Sequence, residues 1–183
     1  MNAWTEQRHR FLLDVNIGLL RQGLELLELT SDDAYAQAAA GLSGQRIGSH
    51  LRHVIEFYEC FLDGRRRCQI DYDARRRDPE LESSRGACIR RIEDLITRLS
   101  GSEAPLQDSV VFIRVEDAAG IALDHDHIVS SIGRELQALA SHTVHHFGLV
   151  GMIARLLGIN VDPSFGFAPS TLRYRETRRR EAA

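Results

Sequence analysis

Two clusters of histidines have the residue type and the spacing of a metal-binding site. His142 and His146 lie four residues apart inside a long apolar-periodic segment. On a helix both would point the same way, and two imidazoles could bind one metal ion. Two histidines make only half of a site. A second cluster, His50 and His53, lies much earlier in the chain, so a complete site requires the two clusters to meet in the fold.

Helical periodicity indicates which of these side chains face a core. On a helical wheel, His142 and His146 lie about 40° apart within the apolar arc of their helix, and His145 lies at its margin or outside it. On the earlier helix, His50 falls inside the apolar arc and His53 lies at its edge, about 60° away. Periodicity alone therefore prefers His50 as the ligand from the earlier helix.

Buried imidazoles also have a simpler interpretation. A single histidine on an apolar face is more often a hydrogen-bonded core residue than a metal ligand. Burying several imidazoles without a common partner, however, costs free energy through desolvation. Their concentration at one level of a core favours a shared metal, a proton relay or a substrate pocket.

Four long segments with apolar residues at intervals of three and four predict the helices that position these histidines. They are Trp4–Leu29, Ile47–Gly64, a third helix capped at Ser83 or Ser84 and ending at Ser100, and Ile132–Leu157. A short helical segment is expected within residues 35–40. The polar, arginine-rich segment Arg65–Asp78 is predicted to be a loop.

The remaining elements complete the predicted fold. One strand-like stretch, Val110–Val115, is followed by a turn at Glu116–Gly120 and a return strand at Ile121–Leu123. From about residue 159 an irregular tail is expected. We therefore predict a single all-α domain over residues 1–183, a four-helix bundle with a small β-hairpin inserted between helices three and four.

Composition limits the classes of function. The 183-residue chain has a net charge of -3 and is 43% hydrophobic, so nucleic acid is not an expected partner. It contains no lysine, which excludes lysine Schiff-base chemistry. The sequence has no signal pattern and no apolar run of about 18 residues, so we expect a cytoplasmic protein without membrane contact. Three cysteines without a C-x-x-C spacing argue against a disulfide framework or a thiolate zinc site.

The histidine clusters and their surroundings resemble the DinB/YfiT-like superfamily of bacterial four-helix-bundle proteins. The resemblance rests on the segment 47–53, IGSHLRH, on the pair His142 and His146, and on the helix-ending segment 156–158, LLG. In that family one histidine of the second helix and the pair of the fourth form a three-histidine site for a divalent metal, commonly zinc, nickel or iron. Matching the family's usual isoleucine to the first residue of IGSHLRH implies His53 as the third ligand.

The resemblance also implies a type of chemistry. Three imidazoles leave at least one coordination position for water or substrate. Characterised relatives include transferases and an isomerase that use a low-molecular-weight thiol such as bacillithiol, mycothiol or glutathione. We therefore expect a thiol-dependent transferase or hydrolase, in which the metal activates a thiol or water. His50 and His145 would be alternative ligands, partners of the ligands or proton carriers. Where the family often has Arg-Gly-Gln after the last ligand, this chain has the segment 147–149, FGL, so the substrate is not assigned.

Two further groups of residues could assist such a site. Glu135 lies seven residues before His142 on nearly the same helical face. It could be a general base, a partner of a ligand histidine or a fourth ligand, or a solvated charge favoured by the helix dipole. Arg75, Arg76 and Arg77 could clamp carboxylates of a thiol cofactor, or could stay solvated or ion-paired in their loop.

Two other classes of function use the same features. A non-catalytic protein that binds a metal or a small ligand would use the same histidines, but its coordination would be saturated. A helical-bundle interaction protein without metal would keep the histidines only as core polar groups. For the enzyme we expect a small-molecule substrate. For all three classes we expect a homodimer, because bundles of this type often pair through their helices.

Overall fold

The computed structural model describes residues 3–101, 108–115 and 127–181, with the side chains of residues 3–5 and 169 left out. This part of the chain is mostly helical and contains a small three-stranded sheet. The helices are α1 (Ala3–Glu28), α2 (Asp32–Ala36), α3 (Ile47–Gly64), α4 (Pro79–Ser83), α5 (Arg85–Ser100), α6 (Ile132–Leu156) and α7 (Pro169–Glu181). The strands are β1 (Gln69–Ile70), β2 (Val110–Arg114) and β3 (His127–Ser131). None of the helices in the described ranges combines the length and the apolar composition needed to cross a membrane.

The four long helices α1, α3, α5 and α6 correspond to the four predicted segments. α3 has the predicted bounds, α1 is displaced by one residue at each end, and α6 ends one residue early. α1 and α3 each contact both α5 and α6, so the apolar faces of all four helices meet in one core. Burial of one large apolar side chain there stabilises the fold by about 1.5–3 kcal/mol relative to exposure. Fully buried members include Leu20, Leu27, Leu51, Ile55, Phe61, Leu95, Leu136 and Phe147.

Side-chain caps fix the starts of α5 and α6. Ser84 Oγ accepts a hydrogen bond from the backbone N–H of Ala87 at 3.2 Å, and Ser131 Oγ accepts one from that of Arg134 at 3.3 Å. Each cap pairs an N–H group that the first helical turn leaves without a partner. Ser84 is therefore the cap of the third long helix. Ser83 instead ends α4, a five-residue helix too short for periodicity to indicate.

The start of α3 is packed against the end of α4 at Gly48. A Cβ atom at this position would lie 2.1 Å from the carbonyl oxygen of Glu82, far inside van der Waals contact. Only glycine fits, because its lack of a Cβ lets the two backbones approach. This contact fixes the start of the helix that carries His50 and His53.

A buried polar network joins α1, α3 and α6 in the core. Tyr58 Oη donates to Asn16 Oδ1 at 2.7 Å, and Asn16 Nδ2 donates to the carbonyl of Leu136 at 3.0 Å. Thr143 Oγ1 lies 3.1 Å from Tyr58 Oη and 2.8 Å from the carbonyl of Leu139. The side chains of Asn16, Tyr58 and Thr143 are buried. Their mutual hydrogen bonds fix the register of the three helices.

A small sheet is formed partly by the segment between α5 and α6. β2 pairs antiparallel with β3, and β1 pairs parallel with β2. A hairpin between the third and fourth long helices is therefore present, and its return strand is His127–Ser131. The predicted turn Glu116–Gly120 and the predicted return strand Ile121–Leu123 lie outside the described residues. β3 ends at Ser131, the N-cap residue of α6. The serines at its C-terminal end are not typical strand residues, so the sequence did not predict this strand.

Two segments expected to be irregular contain regular structure. Within the predicted loop Arg65–Asp78, Arg65–Arg67 form a turn of 3-10 helix and Gln69–Ile70 form β1. In the tail beyond residue 159, Pro169–Glu181 form α7, so the prediction of an irregular tail was wrong there. The loop elements are too short to show periodicity. α7 has no apolar stripe and carries paired arginine and glutamate side chains one turn apart.

Candidate metal centre

α3 and α6 pack side by side and bring three half-buried histidines together. Nε2 of His142 lies 3.2 Å from Nε2 of His53 and 3.2 Å from Nε2 of His146. One nitrogen from each of the three rings lies within 4.8 Å of the other two. Among the described residues, this is the group whose donor atoms are placed to hold a metal ion.

Hydrogen bonds between these histidines cannot satisfy the arrangement. A neutral imidazole nitrogen has either one N–H or one lone pair, yet Nε2 of His142 faces Nε2 of both His53 and His146. A divalent cation would accept the lone pairs of all three. With metal–nitrogen distances of about 2.0–2.1 Å, tetrahedral coordination places ligand nitrogens about 3.3 Å apart. The donor set and its spacing therefore fit a metal such as zinc.

The histidines are held in the neutral form that metal binding requires. Burial lowers the pKa of His53 to about 4, and the positive charge of Arg75 adds to the effect. Burial also lowers the pKa of His142 to about 4, with contributions from His145 and Arg75. The pKa of His146 falls to about 3 through burial and the neighbouring imidazoles. All three lone pairs are thus available near neutral pH.

His53, and not His50, joins the pair on α6. His53 is half-buried at the edge of the apolar face of α3, whereas His50 is buried further inside. His142 and His146 likewise lie at the edge of the buried face of α6. The three rings therefore meet at the seam between the two helices, where edge positions face each other. A helical wheel, which describes one helix alone, preferred the more deeply buried His50 for this reason, whereas the residue at the seam is His53.

His50 instead contacts the candidate ligand His146 at the ring nitrogen that does not face His142. Its Nδ1 lies 3.0 Å from Nδ1 of His146. The tautomer of His146 that leaves Nε2 free for a metal carries its proton on Nδ1 and can donate it to His50. A hydrogen bond of this kind fixes the ring orientation and tautomer of a metal ligand. His145 is exposed and lies outside the cluster, with its ring centre 5.3 Å from that of His146.

His142 is oriented by stacking. Its Nδ1 is buried and has no hydrogen-bond partner among the described residues. Its ring lies against Phe57, with centres 4.0 Å apart and planes inclined by 28°. Phe57 also contacts His53 at 4.7 Å. An aromatic surface therefore holds two of the three imidazoles in place.

Phe57 connects the histidines to the segment after β1. The ring of Tyr72 stacks on Phe57 with centres 4.9 Å apart, and the guanidinium carbon of Arg75 lies 4.8 Å from the centre of the Phe57 ring. The sequence-based predictions did not include Phe57 or Tyr72. Phe57 follows His53 by one helical turn, which is the signal that could have identified it. Arg76 and Arg77 are exposed.

Glu135 is buried and bonded away from the histidines. Its side chain is 6% exposed, so it is not a solvated charge at the helix start. Tyr72 Oη donates to Glu135 Oε2 at 2.8 Å, and Ser130 Oγ donates to Oε1 at 2.5 Å. The candidate metal-binding group in the described part of the chain consists of histidines and contains no carboxylate. Glu135 lies two helical turns, about 10 Å, from His142 along α6, and it touches the site through Tyr72.

Comparisons with known proteins leave the family open. No protein-family model matches the chain, and no solved structure matches it. The chain is 28% identical over 169 residues to a protein named FK506-binding protein 5 from Rhizopus delemar. The match includes 90% of this chain and 38% of the fungal protein. The chain therefore spans well under half of that relative, whose name describes the whole fungal protein.

Proposed function

We propose that the protein is a metal-dependent enzyme of the DinB-like type, in which His53, His142 and His146 hold a divalent metal. The observation that carries this proposal is the convergence of three neutral imidazole nitrogens, two pairs of them 3.2 Å apart. When bound, a metal at such a site lowers the pKa of a coordinated thiol or water toward neutrality. The reaction proposed is a thiol-dependent transfer or a hydrolysis.

The arrangement of the helices supports the DinB-like part of the proposal. α1 and α3 each pack against α5 and α6, as expected of a four-helix bundle. The candidate ligands lie on the second and fourth long helices, as the family resemblance implies. The small hairpin lies between the third and fourth long helices, with β1 added at its edge.

Residues around the histidines have defined roles in the proposed reaction. Phe57 covers His53 and His142 and keeps water from that side of the site. His50 holds the tautomer of His146. Glu135 is a positioning residue: its carboxylate fixes Tyr72, whose ring packs on Phe57. Three protein ligands leave a coordination position for the thiol or water that reacts.

The metal in the proposed site is zinc, nickel or iron. Imidazole-rich sites follow the general affinity order of the first-row metals, so purified protein will contain whichever of these was abundant. Reconstitution of metal-free protein with each ion separately is therefore more informative than the metal found after purification.

Metal analysis of tag-free protein tests the proposal. Wild type should contain close to one divalent ion per chain after reconstitution and dialysis, and the His53→Ala, His142→Ala and His146→Ala variants should not. His145→Ala is the matched control, because this exposed histidine neighbours the cluster and should leave the metal content unchanged. Wild type that takes up neither zinc, nickel nor iron would overturn the proposal.

Activity is tested on the reconstituted protein. Thiols are combined with electrophilic substrates, and loss of free thiol is compared between wild type and His142→Ala. Thiol transfer that depends on the bound metal would support the enzyme. Full metal occupancy with no exchangeable coordination position would instead indicate a metal-binding protein without turnover.

A further inference from the structure

Exposed apolar side chains are concentrated on the outer half of the small sheet. Val110 and Phe112 on β2 and Ile128 and Val129 on β3 are each 40–66% exposed. Phe112 and Val129 lie directly opposite each other in the ladder, and Val110 shares their face because side chains alternate along a strand. Neighbouring apolar side chains left exposed in this way are typical of an interaction surface.

The edge of the sheet at β3 has none of the usual protection against pairing. β3 is the outer strand in the order β1-β2-β3. Edge strands are commonly protected by a charged residue, a proline or a bulge. The segment 127–131, HIVSS, contains no proline, lysine, arginine or acidic residue, and its five pairs with β2 run without a bulge. In the described ranges, no strand pairs with the other side of β3.

The backbone of Val129 is oriented toward this outer edge. The N–H of Phe112 donates to the carbonyl of Cys68 at 2.9 Å, so Phe112 directs its backbone groups toward β1. Hydrogen-bonded and non-hydrogen-bonded pairs alternate along an antiparallel ladder, and the pair of Phe112 with Val129 is therefore non-hydrogen-bonded. The N–H and C=O of Val129 consequently point away from β2.

Both faces of β3 extend beyond the helices. Ile128 lies opposite Ile113, on the face that carries the fully buried Val111, yet Ile128 is 61% exposed. Val129, on the other face, is 66% exposed. A flat partner could cover only one of these faces. A strand added at the edge would contact both, because its own side chains alternate between them.

We propose that β3 pairs antiparallel with β3 of a second copy of this chain, about a two-fold axis at Val129. The two copies of Val129 then face each other as a hydrogen-bonded pair, for which the backbone is already oriented. On one face, Phe112 and Val129 continue into Val129 and Phe112 of the second copy as one apolar row. The pairing joins the two three-stranded sheets into one.

The distribution of charge fits a second copy as the occupant. In this register His127 faces Ser131 and Ile128 faces Ser130 of the other copy, so no two like charges lie opposite each other. Arg114, the charged residue paired with His127 on β2, lies in a different row from its own copy. An interface in which the same surface meets itself is the commonest kind in oligomers. This inference goes beyond the proposed function and does not depend on the metal centre.

Charge substitution at Val129 tests the proposal through the mass in solution, measured by light scattering. Wild type at high micromolar concentration should have twice the mass of one chain. Val129→Glu and Val129→Arg should each have the mass of one chain, because like charges would face each other across the axis. An equimolar mixture of the two variants should recover the doubled mass, since the facing charges are then opposite. Circular dichroism shows whether each variant keeps the wild-type helix content.

Met152→Glu is the matched control, because it places the same charge at a half-exposed apolar position on α6. It should keep the doubled mass. A wild type with the mass of one chain overturns the proposal, as does a folded Val129→Glu that still dimerises. Dissociation by Met152→Glu alone would place the interface on the helices instead. A mixture of the two Val129 variants that stays at the mass of one chain would exclude the pairing of Val129 with itself.

Discussion

Two polar clusters lie where α3 packs against α6, and they differ in whether their hydrogen bonds are satisfied within the protein. In the network of Asn16, Tyr58 and Thr143, each side chain finds a partner inside the protein. One residue away on α6, Nε2 of His142 faces nitrogens of both His53 and His146 but has only one N–H or one lone pair to offer them. The first cluster satisfies its own hydrogen bonds, whereas the second places three imidazole nitrogens close enough to hold a metal ion. The difference separates a network that stabilises the fold from a candidate binding site.

The largest expected effect is the loss of metal in His142→Ala. Removing the central ligand should weaken metal binding roughly a hundredfold or more, beyond the effect typical of residues that only support a ligand. Competition with a chromophoric chelator measures it. The free energy of unfolding of the metal-free protein should change by about 1 kcal/mol or less, because the ring is half-buried and its Nδ1 has no partner to lose. A large loss of stability with intact metal affinity would show that His142 stabilises the fold and does not bind the metal.

Tyr58→Phe should show the opposite pattern. The substitution leaves the buried Asn16 Oδ1 without its donor, so the free energy of unfolding should fall by about 1–3 kcal/mol. Denaturant unfolding of the metal-free protein measures this. The metal content of the folded variant should stay at the wild-type level. Loss of metal from a folded Tyr58→Phe protein would show that the two clusters are not independent.

His50→Ala tests a residue that belongs neither to the buried network nor to the three candidate ligands. His50 holds the ring of His146 through Nδ1, so its loss should weaken metal binding about tenfold while the site still fills at excess metal. The chelator competition gives the affinity, and His145→Ala serves as the control. Complete loss of metal would instead make His50 a ligand.

A further expected effect is a dependence of stability on pH in the metal-free protein. The pKa values of His53 and His142, about 4, and of His146, about 3, lie below the ordinary 6.5. At a pH between the folded-state pKa values and 6.5, these histidines are protonated in the unfolded chain and neutral in the folded protein. The free energy of unfolding should therefore fall as the pH decreases from about 6.5 toward 4.

Denaturant unfolding at several pH values measures this dependence. The decrease should be shallower in His142→Ala, which lacks one of the three groups, and unchanged in Tyr58→Phe, whose network has no group that titrates in this range. Equal slopes in wild type and His142→Ala would contradict the assignment to the histidines.

The sequence predicted the features that depend on local pattern. The bounds of α3 and α6 follow from apolar spacing, and the pair His142 and His146 follows from helical geometry. The choice of His53 did not come from the wheel, because the wheel describes each helix alone. How two helices meet at their edges depends on packing across the whole core.

Other features depend on contacts between distant segments and left no local signal. Tyr72 joins Phe57 and Glu135 from a loop with no periodicity. The network of Asn16, Tyr58 and Thr143 consists of three residues that are each unremarkable in sequence. α7 is polar on all sides and was missed, because an apolar stripe is the main evidence for a helix in sequence.

The close contact at Gly48 makes the position of a candidate ligand depend on a residue that has no side chain. A methyl group there would meet the carbonyl of Glu82 and would push the first turn of α3 away from α4. His53 lies on the same rigid helix, so that displacement would reach its ring and open the spacing to His142. A substitution at a position with no donor atom would thus disturb the candidate metal centre, and a search confined to the histidines would miss its cause.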